Sequence, residues 1–301
     1  VQNEMREKLI DCSLMNVFSI DQMLAILDTL VAEPDLSLED ILLRRKLMSS
    51  QKAALKKMDQ IRERLKKEAI TTSREQTLNA GIKICTILDS DYPFELKEIY
   101  QPPVVIYYQG DWDLTKGRKL GVVGSRTASE YGRLVLRKMI PELVCKGVTT
   151  ISGLAKGIDQ EAHIQTLKAG GKTVSVIGTG LNYFYPLENK ILQEKLTREQ
   201  LVLSEYPINT GPQRYHFPLR NRIIAGLSQG TLVVEAKERS GSLITANVAL
   251  QENREVFAIP GSVLESSYAG TNQLIQAGAK LVTNASDIFS EMAYLWKMSD
   301  S

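Results

Sequence analysis

The 301-residue sequence predicts an α/β protein, a doubly wound and mostly parallel sheet with a small all-α domain in front of it. Three features carry that expectation. Up to about residue 80, apolar positions recur at helical spacing and no strand signal appears. From Ile82 onward, short β-branched runs alternate with helical stretches, the pattern of parallel strands joined by crossover helices. Three consecutive runs end in loops of small and hydroxyl residues, Gly124-Ser125-Arg126, Ser152 to Gly157 and Gly178-Thr179-Gly180, as turns at the carboxyl edge of such a sheet do.

In the N-terminal part, Met23, Leu24, Leu27 and Leu30 form one helical stripe. Leu36, Leu38, Ile41 and Leu42 form a second, and Leu55, Met58, Ile61 and Leu65 a third. Ser37 with Asp40 gives a loose capping box. A cap at Thr71-Thr72-Ser73 and a stop at Asn79-Ala80-Gly81 mark the boundary, so residues 1–75 read as the helical domain and 76–301 as the α/β domain. Strands are expected at Ile82 to Ile87, Val104 to Tyr108, Leu120 to Val123, Val148 to Ile151, Thr173 to Ile177, Leu201 to Ser204, Thr231 to Glu235, Val256 to Ile259 and Lys280 to Val282. Helices fit at Ser129 to Cys145, Ile158 to Ala169, Glu188 to Leu196, Gly241 to Asn253 and Thr271 to Ala277, and another follows Tyr215.

Hydrophobic residues make up 43% and charged residues 24%, a globular balance. No window reaches the roughly eighteen apolar residues of a membrane span. Glu4, Arg6, Glu7 and Lys8 rule out a signal-peptide apolar core, so a cytoplasmic location is expected. Cys12, Cys85 and Cys145 are far apart and lack CxxC spacing. Neither a disulfide nor a metal site is indicated, and all three read as buried thiols. Net charge is only +2, so affinity for nucleic acid must come from local patches. Residues 44–67 hold ten Lys or Arg against Asp59 and Glu63, and Arg118, Lys119, Arg126, Arg133, Arg137 and Lys138 form a second run. The first run reads as a solvated helix face or as a nucleic-acid contact, the former favoured.

After the Leu120 strand the GxGxxG fingerprint and a Walker A sequence are both missing, and the next strand ends in Ser152 rather than an acid. No NAD, ATP or other cofactor is therefore expected. The loops offer free backbone N–H groups and helix dipoles, and three such anion sites in a row suit a polyanion. Arg126 can clamp a phosphate bidentately or stand as a surface arginine on a tight turn. Gly153 and Gly157 flank Lys156 ahead of a helix, which makes an anion nest with an ammonium. Asp159 and His163 could pair as acid and base, but no nucleophile motif accompanies them and structural roles are favoured. Asn182 to Lys190 places three aromatics beside Asn189 and Lys190, to stack on unpaired bases or to pack under the loop. Arg220 and Arg222 near a helix start call for an anion, or for a carboxylate such as Glu205 or Glu235. Ser240-Gly241-Ser242 is a fourth amide-rich helix start.

Taken in order, these motifs resemble the DNA-processing protein A family, DprA/Smf, from about Asp89 to Ala285. The resemblance runs through Asp91-Tyr92-Pro93, Pro102-Pro103, Gly124-Ser125-Arg126, Ser152 to Asp159 with Ala162-His163, and Tyr185-Pro186 with Asn189. It continues through Phe217-Pro218, Arg220 to Ile224, Arg239 to Ser242 with Thr245, and Ala258 to Gly261. Helices before about residue 75 resemble the sterile-alpha-motif-like domain of such proteins. The resemblance implies a Rossmann-like domain that binds single-stranded DNA without catalysis, forms a homodimer, and protects incoming DNA and loads RecA during natural transformation. The implied DNA contacts are Gly124, Ser125, Arg126, Ser152, Gly153, Lys156, Tyr185, Asn189, Lys190, Arg220, Arg222, Ser240, Gly241 and Ser242. The implied dimer and RecA surface holds Asn272, Ile275, Gln276 and Leu281. Two departures stand out: Leu187 replaces the basic residue that some relatives carry after Tyr-Pro, and one helix after Asp287 leaves no room for the winged helix that some add. The alternative is a nucleotide-processing enzyme of the lysine-decarboxylase-like phosphoribohydrolase group, but Ser240 to Thr245 lacks that group's second glycine pair and following acid.

Overall fold

A computed structural model describes residues 1–43 and 67–299. The stripe from Leu55 to Leu65 and all but the last residue of the basic run 44–67 lie outside the described residues. The N-terminal part is helical as expected: α1 (Gln2–Met15), α2 (Ile20–Ala32), α3 (Leu38–Leu43) and α4 (Lys67–Asn79). Ser37 caps α3 by accepting the Asp40 N–H at 3.1 Å. Thr71-Thr72-Ser73, in contrast, lies inside α4. The Thr72 hydroxyl donates back to the Glu68 carbonyl at 2.7 Å and is spent within the helix. The boundary expected at residue 75 thus falls within α4, whose Arg74 pairs with Glu7 and Asp11 of α1.

Nine strands follow near their expected positions: β1 (Lys83–Thr86), β2 (Val105–Gly110), β3 (Lys119–Val123), β4 (Thr149–Ser152), β5 (Thr173–Ile177), β6 (Leu201–Ser204), β7 (Gly230–Val233), β8 (Glu255–Ala258) and β9 (Lys280–Leu281). They form one sheet in the order β1-β2-β6-β5-β4-β3-β7-β8-β9. β1–β2 and β2–β6 pair antiparallel and the remaining pairs are parallel. The helices are α5 (Phe94–Lys97), α6 (Glu130–Cys145), α7 (Ile158–Lys168), α8 (Lys190–Glu199), α9 (His216–Leu227), α10 (Gly241–Gln251), α11 (Ala269–Gln276) and α12 (Ala285–Ser299). Sequence periodicity did not foresee α5, a single turn after Pro93.

Every residue of β3 to β7 is buried, as strands covered on both faces must be. On one face Leu120 and Val122 pack with Leu136 and Ile140 of α6 and Trp296 of α12. On the other, Val123 and Ile151 pack with Ile223 of α9 and Ala246 of α10, and Leu9, Ile10 and Leu30 of the helical part join that same core. Tyr107 Oη and Ser13 Oγ, 2.8 Å apart, and an Arg6–Asp89 ion pair at 2.7 Å tie the helices to the β1–β2 edge. Cys12 and Cys85 are buried as expected, but Cys145 is exposed. It lies two residues beyond buried Leu143 on α6, which turns it to the opposite, solvent-facing side. No described helix is long and apolar enough to cross a membrane.

After the antiparallel edge strands β1 and β2, the parallel part of the sheet starts at β3, winds through β4, β5 and β6 toward that edge, and then returns to β7 on the other flank of β3. Such a reversal opens a crevice at the carboxyl ends of the strands on either side of it. The candidate loops converge there.

Candidate functional site

Two adjoining clefts occupy the crevice. The larger, about 480 Å³, is lined by Gly124, Ser125, Arg126, Asp159, Arg220, Arg239 and Ser240 to Ser242, among others. The smaller, about 190 Å³, is lined by Gly153, Lys156, Tyr185 and Pro186, and shares Arg126, Ala155, Phe217 and Arg220 with the first.

The loop from β3 to α6 presents Arg126 to solvent, with its guanidinium carbon 5.9 Å from the Phe217 ring centre. Arg126 makes no ion pair among the described residues. Its loop is held at both ends by fully buried Glu235. The Glu235 main-chain oxygen accepts the Ser125 N–H at 2.9 Å. Its carboxylate accepts the Ser129 N–H at 3.0 Å and the Ser129 hydroxyl at 2.5 Å, and Ser129 in turn caps α6. Glu235 therefore braces Arg126's loop rather than neutralising an arginine of α9.

The loop from β4 to α7 interlocks with the first. Gly157 has φ +82°, and a Cβ there would lie 2.2 Å from the Ser125 carbonyl oxygen, so only glycine fits. At Gly153 a Cβ would lie 2.5 Å from Arg220 Nη1 and 2.6 Å from Asp159 Oδ2. Lys156 is half exposed and bonded to Glu188 at 2.5 Å. Ser152 departs from the expected contacts: its side chain is fully buried and donates to the Val122 carbonyl at 2.6 Å, fixing β4 against β3.

Arg220 reaches the floor of both clefts. It is buried and donates to the carbonyls of Gly153, at 2.6 Å, and Val176. Burial draws its pKa down to about 10, and burial pushes the neighbouring Asp159 up to about 6 despite the attraction of Arg220. A carboxylate thus lies among the cationic groups of the large cleft. Its proton uptake has a defined sign: with the folded pKa raised above the usual carboxylate range, Asp159 favours the folded state at low pH and loses that contribution as pH rises from about 4 to about 6. The same protonation removes negative charge from the cleft. Anionic ligands are expected to bind more tightly at pH 5.5 than at 7.5, and Asp159→Asn to bind tightly at both; fluorescence titration across that range checks it. His163 is buried behind the sheet, its Nδ1 2.7 Å from Thr173 Oγ1, and burial together with Arg220 pushes it down to about 3. It is a neutral core residue, not a partner for Asp159 in acid/base chemistry.

Tyr185 is exposed beside Phe217, with ring centres 5.2 Å apart, and Tyr215 stands exposed at the start of α9. Lys190 is exposed, 5.1 Å from the Phe184 ring centre. Asn189 is buried and donates to the Leu154 carbonyl at 2.9 Å, so it braces the β4 loop from beneath. Arg222 is also turned inward, paired with Glu205 at 2.7 Å, and lines neither cleft. Ser240 and Ser242 hydroxyls lie 2.7 Å apart at the start of α10, and Asn221 holds the Gly241 carbonyl at 3.3 Å.

Phe217, Lys237 and Arg239 line the large cleft and were not among the expected DNA contacts. Their signals were present in Phe217-Pro218 ahead of the two arginines and in Lys237-Glu238-Arg239 directly after a strand. Of the residues expected at an interface, Gln276 and Leu281 are exposed, Ile275 is half-buried against the core, and Asn272 exchanges two hydrogen bonds with Gly261 at 3.1 and 3.3 Å.

Known proteins are similar to this chain in sequence and fold. DNA processing protein DprA of Bacillus subtilis is 44% identical over 264 residues, which is 87% of each chain. The X-ray structure of DNA processing protein A from Streptococcus pneumoniae superposes with TM-score 0.83 at 42% identity, covering 95% of this chain and 96% of that one. DNA processing protein A from Helicobacter pylori, whose structure is described by its single-stranded DNA binding mode, gives TM-score 0.63 at 27% identity over 70% of this chain and 96% of that one. The family model described as DNA recombination-mediator protein A matches residues 83–293, so the crevice and all nine strands of the sheet lie within the match, and the chain belongs to that family.

Proposed function

We propose that the carboxyl edge of the sheet binds single-stranded DNA, with phosphates in the large cleft and bases against Tyr185 and Phe217, and that the chain acts as a recombination mediator without a chemical step of its own. The observation that carries the reading is the junction of a cleft holding Arg126, Arg220, Lys237 and Arg239 with a smaller pocket walled by aromatic rings. Cationic groups track a backbone while rings accept any base, which is the physics of sequence-tolerant single-strand binding. The single-stranded DNA binding mode of the Helicobacter pylori protein supports the same ligand. Protection of incoming DNA, loading of RecA and a role in natural transformation in the cytoplasm complete the reading.

In fluorescence anisotropy, single-stranded oligonucleotides are expected to bind more tightly than duplexes of equal length, with affinity falling steeply as salt rises. Equal binding of both forms would overturn the single-strand reading, and release of free base from nucleoside monophosphates would favour the phosphoribohydrolase alternative.

The proposal extends to a homodimer that shares its surface with RecA. β9 is an edge strand with both residues exposed, and Leu281 retains 44% of its surface beside exposed Gln276. Leu281→Glu is expected to give a folded monomer by light scattering, with reduced avidity on long strands. A persisting dimer would place the interface elsewhere.

A further inference from the structure

A third cleft, about 500 Å³, lies farther along the same sheet edge, between the α1–α2 turn, the residues after β6 and the first turn of α9. That turn joins it to the other two, since Phe217 lines both clefts of the crevice while its neighbours Tyr215 and His216 line this one. The chemistry of its walls is different. Among the described residues no Lys or Arg lines it, and its charged groups are Asp21 and Glu205, so it repels phosphate. Its aromatic wall is preassembled: the Tyr206 and His216 rings stack at 3.9 Å and 20°, and Tyr215 meets His216 edge-on at 4.6 Å. Two buried polar atoms on that wall have no hydrogen-bond partner, Glu205 Oε2 and Tyr206 Oη, although Glu205 Oε1 is held by Arg222 at 2.7 Å. A buried carboxylate oxygen left without a donor is a costly feature that a ligand's N–H would relieve.

We infer that this cleft receives one base of the bound strand and prefers a base with an exocyclic amino group over one that shows only carbonyls at that position. The amino group donates to the Glu205 carboxylate and the base plane lies against Tyr206 and Tyr215, while the phosphates stay with the cationic clefts on the far side of Phe217. The inference rests on the single-strand reading above and adds a base preference that the aromatic pocket alone does not supply, because ring stacking is indifferent to base identity.

The test compares oligodeoxycytidylate with oligodeoxyuridylate of equal length, which differ by an amino group in place of a carbonyl, in anisotropy titrations of the full chain at pH 7.5 and one salt concentration. The cytidylate is expected to bind about ten-fold more tightly, as one charge-assisted hydrogen bond allows. Val17→Trp, which fills the cleft from the α1–α2 turn, is expected to bring the ratio to one. Glu205→Gln keeps an acceptor for Arg222 but removes the charge that receives the amino group, and is expected to lower the ratio, so the test holds even if the tryptophan disturbs folding. Tight but equal binding of the two oligonucleotides would overturn the base site alone, as would a ratio that persists in both variants. Failure of either oligonucleotide to bind would overturn the single-strand reading along with it.

Discussion

Arg126→Ala is expected to weaken binding of single-stranded oligonucleotides by about ten- to a hundred-fold, the worth of charge-assisted hydrogen bonds of roughly 1.5 to 3 kcal/mol. No other single substitution in the sheet-edge loops should cost as much. Lys156 already shares its charge with Glu188, and Arg220 spends its donors on two carbonyls, whereas Arg126 is exposed and makes no ion pair among the described residues. Because its side chain holds no part of the core, the melting temperature should stay within about a degree of the parent. Anisotropy and calorimetry on the same preparation check both halves. Normal affinity, or a melting temperature several degrees lower, would make Arg126 structural.

Glu235→Ala should do the reverse, with a large loss of stability and a loss of binding that follows from it. Removing the carboxylate takes the acceptor from the Ser129 N–H, leaves the Ser129 hydroxyl only Tyr268 Oη at 3.2 Å, and weakens the cap of α6. Each lost bond to a charged acceptor costs about 1.5 to 3 kcal/mol, so the total is roughly 3 to 6 kcal/mol, visible as a melting temperature lower by several degrees. Below the new transition the Arg126 loop is freed at one end, and affinity for single strands should fall as well. Glu235→Gln keeps an acceptor for the Ser129 N–H and should recover part of both losses. A fully stable Glu235→Ala protein would show that the loop is held by its packing alone.

The fold was legible because its strands are buried on both faces, which writes them as continuous β-branched runs such as Thr173 to Ile177, and because each run ends at a turn. The site was legible as a set of loops for a related reason: Gly153 and Gly157 stand where any side chain would strike Arg220 or the Ser125 carbonyl. Side-chain direction was not legible. A serine that ends a strand can face a ligand or lock a neighbouring strand, and Ser152 does the second. Asn189 likewise sits among motif residues yet points inward, toward the Leu154 carbonyl, whereas Arg222 takes Glu205, one of the two carboxylates named for it from the sequence. Glu235 was legible only as a strand-end acid, since its partner Ser129 lies more than a hundred residues away and no local pattern links the two. Thr71-Thr72-Ser73 looked like a cap because hydroxyl residues favour helix starts, but the same hydroxyls can bond one turn back inside a helix.

The central claim is that a single strand runs along the carboxyl edge of the sheet, across Arg126, Phe217 and Tyr185. Photocross-linking with a bromouracil-substituted oligonucleotide, followed by mass spectrometry of the joined peptides, tests it most directly. Cross-links concentrated on the peptides that carry Tyr185 and Phe217, and lost when Arg126 is replaced by alanine, are the expected result. Cross-links confined to the basic run at residues 44 to 67, with none on the sheet edge, would contradict it.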